Sequence, residues 1–500
     1  MRNLSKSKII AYRQCPKRLW LEIHKPDLRD DSGSEVVFAI GHQVGEIARK
    51  IYDPENTGIT IDIAGLGGHS EALARSAVLL AEGRGPIFEA GVTIAGALAY
   101  ADVMLPDRQD GELAWKMIEV KSASSVKDYY RDDIAVQAHI AAASGVRLSS
   151  VSLAHIDNSF VYPGDGDYRG LLKENDLTEE AFARSGEVAE WIAGAQAVVA
   201  LTDEPEIETG PQCTTPYACG FCDYCNRDKV VEPAPEYPLS SLPRFSSSKR
   251  TQMNELGIDD LRHVPDEYLS DIQALVKEHT AAGTVLFDAE GAAADLLPHG
   301  LPAYFLDFET IRFTVPIWKG TRPYQQLPFQ FSLHILDEGG SLQHHGFLDL
   351  SGEDPLCAFA QSLIDLCGVH GPVFVYNAGF ERGRMWDLAK LFPRHAPGLE
   401  AIIDRVVDLW PIAKNRYYHP SQHGSWSLKA VLPAAVPDLS YDDLDGVQDG
   451  MMAGDAFMEA IDPATTPERK LELQTQLVEY CKLDTLAMVR LWEKFSGKGA

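Results

Sequence analysis

Apolar and polar positions along the chain follow two periods, and the changes between them mark out its elements. Residues 1–50 are spaced as helices, with Ser5 or Ser7 as the N-cap and Ile9, Ile10, Leu19 and Leu21 as early apolar positions. Residues 92–104 and 113–121 alternate with the period of two that strands show. Residues 128–144 return to helical spacing. Pro, Gly and Cys crowd into 202–240, where Pro233, Pro235 and Pro238, followed by Pro243, mark a linker. Residues 244–300 predict a small helical module. A strand begins at Ala303, and an α/β pattern runs from there to a long helix over about 467–495. The expected class is α/β, and 500 residues allow two to four domains at roughly 150 residues each. No run approaches the roughly 18 apolar residues of a membrane span. Met1–Ile10 is basic without an apolar stretch, so it is not expected to act as a secretory leader.

Charge changes this picture in two places. The chain carries 45 basic and 73 acidic residues, a net −28, which argues against coating nucleic acid or an anionic membrane over a broad surface. Residues 1–26 run against that trend: Arg2, Lys6, Lys8, Arg13, Lys17, Arg18 and Lys25 face Glu22 alone. This segment is expected to contact phosphates. Residues 430–462 hold eight Asp/Glu and no Lys or Arg, which reads as a solvated face. Four of the eight cysteines fall within 213–225. With no secretory leader the expected compartment is the reducing cytoplasm, where such clustering indicates a metal site rather than disulfides.

Trp115–Lys121, WKMIEVK, predicts a strand with Glu119 and Lys121 on one face. Asp110-Gly111 upstream is a favoured two-residue hairpin turn, and a turn there sets Asp102 opposite Glu119. Two carboxylates can hold a divalent metal, and a nearby lysine can orient or activate water. A bare D…ExK set would read as a surface ion pair, but apolar Ile118 and Val120 imply a covered strand. Asp133 and Gln137 share a face of the following helix. These residues resemble the PD-(D/E)xK nucleases of RecB-like type: Asp102, then Glu119-Val120-Lys121, then Gln137. The resemblance implies a restriction-endonuclease-like fold with Mg²⁺ or Mn²⁺ on Asp102 and Glu119. It also implies that Lys121 assists the attacking water and that Gln137 holds site and substrate. It suggests an upstream histidine as a further metal ligand, for which His42 is the candidate, with Glu46 one helical turn later. One departure is Ala141, where the family's glutamine motif usually has an aromatic residue.

Cys213, Cys219, Cys222 and Cys225 are spaced C-x5-C-x2-C-x2-C, which suits zinc or an iron–sulfur cluster about equally. Several RecB-like nucleases, including the CRISPR adaptation exonucleases, carry an iron staple with one cysteine before the nuclease core and three after it. That resemblance implies a structural cluster, expected as [4Fe–4S], on Cys15, Cys213, Cys219 and Cys225, with Cys222 as the substitute. Cys357, Cys367 and Cys481 read as buried small hydrophobes.

The C-terminal part offers a second acidic set. AYFLDFET puts Asp307 and Glu309 on one face of a strand; YNAGFE supplies Asn377 and Glu381; YCKLD places Tyr480 and Asp484 one helical turn apart. Four carboxylates from three separated segments are what a two-metal phosphodiesterase needs, with metals about 3.5–4 Å apart. Their order resembles the DEDD exonucleases of the ribonuclease H-like fold, in the tyrosine subtype, with Glu381 in place of the usual Asp. His419 and His423 have metal-like spacing but lie in a Pro/Ser/Gly-rich loop.

The whole is similar to an uncharacterised bacterial family joining these two nuclease types. It implies a RecB-like nuclease with an iron–sulfur cluster over 1–230, a linker and helical module over 231–300, and a DEDD-type exonuclease-like domain over 301–497. The expected function is metal-dependent hydrolysis of single-stranded or end-bearing DNA in repair, recombination or defence, trimming from the 3′ end, alongside a helicase or similar partner and with no membrane association. The alternatives are a catalytically weak nucleic-acid-binding iron–sulfur protein, an RNA-processing exonuclease, and a redox protein, for which no nucleotide or flavin motif is present.

Overall fold

The Asp110-Gly111 turn organises the first half of the chain. In the computed structural model, which describes residues 3–30, 34–227 and 235–498 (side chains of 34–37 and 443 aside), both turn residues have positive φ, 55° and 83°. That is the backbone of a type I′ turn, whose twist matches the strands it joins. The strands are β4 (Ala97–Gln109) and β5 (Glu112–Lys121), paired from Gln109↔Glu112 to Val103↔Ile118. Pro106 lies within this ladder and does not shift its register. The hairpin is the one the turn residues predicted.

The chain divides into two compact units, Met1–Val230 with Phe313–Tyr324, and Val231–Arg312 with Gln325–Ala500. Pro233 and the expected boundary at 230 lie outside the described residues. Unit 1 is built on a mixed seven-stranded sheet. Its strands are β1 (Leu4–Ser5), β2 (Ile59–Thr60), β3 (Ile87–Ile94), β4, β5, β6 (Leu148–Ile156) and β7 (Leu172–Asp176). The order is β2-β3-β4-β5-β6-β7, with β1 added parallel to the start of β4. The single strand expected over 92–104 is two strands. Gly96, at φ 91°, reverses the chain between β3 and β4, and apolar residues on both sides of it hide the break from a periodicity argument.

The Asp128–Ala143 helix lies on this sheet through Ile134, Val136, Ala138 and Ile140, all buried in one cluster with Trp115, Met117, Val151 and Leu153. The Lys6–Gln14 and Pro16–His24 helices open the chain, and Ser5 stands at the N-cap of the first without a side-chain capping bond. The segment 313–324 joins unit 1 although 303–312 and 325–336 belong to unit 2. Val315 packs with Val44, Ile47, Ile156 and Leu171.

Unit 2 holds a five-stranded sheet of β9 (Ala303–Ile311), β10 (Leu327–Leu336), β11 (Leu342–Leu348), β12 (Val373–Val375) and β13 (Val406–Asp408), in the order β11-β10-β9-β12-β13. β11, β10 and β9 pair antiparallel; β9, β12 and β13 pair parallel. A small ribbon pairs β8 (Leu286–Phe287) with β14 (Tyr417–Tyr418). The helical stretch after 244 is no separate body. Phe245, Met253, Val276 and Leu296 share one core with Phe305, Phe374 and Trp492. The closing helix, Pro467–Ser496, starts with Pro at its first turn, where the lost N–H is harmless, and ends at Gly497 with φ 69°. Among the described residues no helix is long and apolar enough to cross a membrane.

Because the hairpin sets which residues of β4 and β5 meet, its turn is a test of the fold. Gly111→Ala places a Cβ at φ 83° and is expected to lower stability by about 1–2 kcal/mol, read by urea unfolding of the full chain. An unchanged midpoint would contradict the turn assignment.

Candidate functional site

In unit 1 the sheet lines up acidic residues on adjacent strands. The β3–β4 ladder pairs Phe88 with Val103 and Ala90 with Ala101, so Glu89 stands across from Asp102. The β4–β5 ladder, continued by one pair, sets Asp102 across from Glu119. Asp102 Oδ2 accepts a hydrogen bond from the Val120 N–H at 2.7 Å, which anchors it beside Glu119. All three line a cleft of about 500 Å³ with Lys6, Lys121 and His42. Glu89 is not among the sequence candidates, and Lys6 is one there only as part of the basic stretch. A signal existed for Glu89: it and Asp102 are the only charged residues from Pro86 to Leu105. Two charges within so apolar a run need a reason to be there.

Glu119 is saturated. Its Oε1 accepts from Lys121 Nζ at 2.6 Å and from Lys6 Nζ at 2.7 Å, and its Oε2 accepts from the Gln137 amide. The same two ammoniums reach Asp133 Oδ2, at 2.6 and 3.3 Å. Burial pushes the Glu119 carboxyl up, but the Lys121 and Lys6 charges outweigh it and hold Glu119 below the usual carboxylate range. Asp102 has no such partner: burial, then the Glu119 charge, raise it well above that range. Asp102 and Glu119 could hold a divalent cation with Glu89 beside them. Lys121 Nζ also lies 5.4 Å from the ring centre of Tyr130. His42 reaches the cleft from the Ser34–Tyr52 helix but is largely exposed, with Nε2 3.7 Å from Glu46.

Most of the basic stretch at the start of the chain, expected to contact phosphates, is paired with acids of its own unit. Lys8 and Arg18 pair with Glu22 at 2.8 and 2.9 Å, and Arg13 pairs with Asp132 at 3.5 Å. Lys17 and Lys25 pair with Glu204 at 2.7 and 3.3 Å, and Lys6 is in the cleft. Arg2 lies outside the described residues.

Cys15, Cys213, Cys219, Cys222 and Cys225 line one small cavity, although Cys15 is about 200 residues from the rest. Cys15 stands between the first two helices, and Cys222 and Cys225 lie on the short Cys222–Asn226 helix. The thiols of Cys219 and Cys225 are raised by burial first and then by neighbours that include Cys15 and Cys213. Cys222 is raised in the same way, by burial and then by Cys219 and Cys213, and its Sγ donates to the Cys213 carbonyl at 3.5 Å. Thiols that share one cavity are a donor type that a metal or cluster uses.

In unit 2, Asp307 and Glu309 on β9, Tyr480 and Asp484 on the closing helix, and Asn377 at the end of β12 line a cleft of about 1210 Å³. Asn377 takes the left-handed conformation, φ 87°, at the N-cap of the Ala378–Leu391 helix. Asp408 accepts from the backbone N–H groups of Asn377 and Ala378, both at 3.0 Å, and so fixes that helix start. Glu381 follows in its first turn, buried, with Oε2 lacking any hydrogen-bond partner. Burial and then Asp484 raise Asp307 well above the carboxylate range and Glu309 to about 8. Burial raises Glu381 to about 8 and Asp484 to about 6.

A buried carboxylate oxygen without a donor, among mutually repelling acids, is the donor chemistry of a cation site. Cys481, read from sequence as a core residue, has its sulfur within 4.8 Å of Asp307 and Glu309 ligand atoms. Tyr441, not anticipated, donates to Asp484 Oδ1, and Lys429 Nζ lies 5.1 Å from the Tyr480 ring centre and 5.4 Å from that of Tyr441. His419 acts as a cap, accepting from Ser421 N at 3.1 Å. Cys357 is half-buried, taking a hydrogen bond from Arg394 at 2.8 Å; only Cys367 and Cys481 are fully buried.

A family profile described as a domain of unknown function, DUF2779, matches residues 304–427. That span includes Asp307, Glu309 and Glu381 and stops before Tyr480 and Asp484. No curated protein matches the chain.

Two measurements follow from these geometries. Glu309, Glu381 and Asp484 ionise at higher pH in the folded chain than their ordinary 4.5, 4.5 and 3.8. Their stabilising effect is therefore fully present below about pH 4 and lost as pH rises through about 6 to 8. Melting temperature in EDTA should fall from pH 5 to 8.5, and Mg²⁺ should remove most of that fall; a flat EDTA profile contradicts the assignment. For the cysteines, iron retained after anaerobic purification should be lost in Cys15→Ser and Cys219→Ser and kept in Cys222→Ser. Equal loss in all three would show that Cys222 is a ligand.

Proposed function

We propose that this chain is a metal-dependent nuclease with two hydrolytic sites and a structural iron–sulfur cluster. Unit 1 is read as a restriction-endonuclease-like domain of RecB-like type, and unit 2 as a ribonuclease H-like domain of DEDD type. The observation that carries this reading is that each unit draws carboxylates from separate segments onto the floor of a cleft. The antiparallel-then-parallel sheet of unit 2, with Asp307 and Glu309 on its central strand, supports the second assignment.

Divalent cations at such carboxylates activate water and stabilise the charge that develops on a phosphodiester. The chain's own groups do the rest. Lys121, held by Glu119 and Asp133, is placed to orient a water or take part in its proton transfer. Gln137 fixes the far oxygen of Glu119. In unit 2 the Tyr480 hydroxyl beside Asp484 is placed to orient a nucleophile. The larger cleft is also lined by Trp410, Trp426, Arg244, Lys249 and Lys414. Aromatic faces for stacking and cations for phosphates suit a single-stranded end in an otherwise acidic protein. Cys15, Cys213, Cys219 and Cys225 would carry the cluster and tie the first helix to the far end of the unit.

The test is cleavage of end-labelled single- and double-stranded DNA and RNA by anaerobically prepared protein with Mg²⁺ or Mn²⁺. Lys121→Ala and Asp307→Ala should each abolish a different product class, with losses of at least about 100-fold. Absence of any metal-dependent cleavage from cluster-loaded protein would leave a nucleic-acid-binding scaffold. RNA cleaved in preference to DNA would favour the processing enzyme.

A further inference from the structure

The unit 1 site holds one ammonium more than this reading uses. Lys6 is the first residue of the Lys6–Gln14 helix. It is brought to the sheet by β1, whose Leu4 and Ser5 pair with Ala97 and Leu98 five and four residues before Asp102. Its side chain is 19% exposed, and its Nζ lies 2.7 Å from Glu119 Oε1 and 3.3 Å from Asp133 Oδ2. Lys121 occupies the same two oxygens. Two ammoniums on one pair of oxygens repel each other, and one of them alone would satisfy Glu119. The cleft otherwise carries Asp102 and Glu89, neither with a lysine hydrogen-bonded to it among the described residues. Arg49, the other cation lining the cleft, is paired with Glu46, so the neighbouring Asp102 and Glu89 are carboxylates that a divalent cation could share. Glu119 is available to such a cation only if a donor leaves it. Gln137 is locked on a buried helix face and Lys121 is held by the shorter bonds, so Lys6 is the donor that can move.

We propose that Lys6 is an internal counter-ion, stabilising Glu119 when no metal is bound, yielding it to a divalent cation, and then meeting the phosphodiester of the substrate. Lys6 is thus a phosphate-binding residue whose availability depends on the metal. The second half of this proposal rests on the nuclease reading of unit 1; the first does not.

The experiment is Mn²⁺ binding followed by electron paramagnetic resonance, without nucleic acid, in full-length protein carrying Asp307→Asn and Asp484→Asn to silence the unit 2 site. Lys6→Gln should bind Mn²⁺ at least about tenfold tighter than its Lys6 parent, because a competing cation has been removed from a ligand oxygen. Lys6→Arg, which keeps the charge, should stay near the parent. A second measurement avoids substitution at Lys6 altogether. Reductive methylation of Lys6 in the wild-type chain, read by peptide mass, should rise when Mn²⁺ is added. With metal saturating, Lys6→Gln should raise KM for an oligonucleotide about tenfold or more, with a smaller change in kcat.

Unchanged or weaker Mn²⁺ binding in Lys6→Gln, or methylation unaffected by Mn²⁺, overturns the proposal even if the wild-type chain cleaves DNA. Tighter binding and metal-dependent labelling in a chain that cleaves nothing would uphold the counter-ion and reject the nuclease reading instead.

Discussion

A carboxylate taken out of water raises the energy of the fold unless a positive charge or a set of donors takes the place of its hydration. Unit 1 meets this demand from within at Glu119. Lys6 and Lys121 close on Glu119 and Asp133, so the strand that carries Glu119 can be covered on both sides and still remain ionised. Unit 2 leaves the demand open. Asp307, Glu309 and Asp484 line one cleft with Tyr480 and Lys429, while Glu381, outside that lining, acts on Asp307 and has no hydrogen-bond partner on Oε2. In the first site Glu119 is therefore compensated by the chain's own lysines, whereas burial raises Asp102 beside it and the acids of the second site.

The scaffolds explain how such sets can be assembled. Antiparallel hairpins fix which residues lie abreast, so a row across β3, β4 and β5 collects Glu89, Asp102 and Glu119 from positions far apart in sequence. In unit 2 a central strand supplies two carboxylates at alternate positions, a helix start held by Asp408 supplies a third, and the closing helix supplies the fourth. The buried face of that helix carries Tyr480, Cys481 and Asp484 together with the apolar Trp492 and Phe495, so core packing positions the chemistry.

The acidic balance of the chain also acquires a structural meaning. Lysines and arginines near its start are neutralised by Glu22, Asp132, Glu204, Glu119 and Asp133, and do not form an open basic face. In unit 2, Arg244, Lys249 and Lys414 line the cleft that also holds Asp307, Glu309 and Asp484.

Much of this was legible in the residues themselves, because it depends on local rules. Asp-Gly allows positive φ at two successive positions, so the register bringing Asp102 to Glu119 follows from the turn. Alternation put Glu119 with Lys121 and Asp307 with Glu309; helical spacing put Asp133 with Gln137 and Tyr480 with Asp484. What periodicity could not show were events without a local period: the reversal at Gly96 inside an apolar run, and the return of 313–324 to unit 1. Nor could it place Lys6 on Glu119 from 113 residues away, gather Cys15 with cysteines some 200 residues on, or bring Tyr441 to Asp484. The sequence by itself determined which short segments carry chemistry, since turns and side-chain alternation are set within a few residues. Which segments meet, and whether each buried charge finds a partner, was decided only by tertiary packing, because desolvation and ion pairing act between residues that the chain order does not relate.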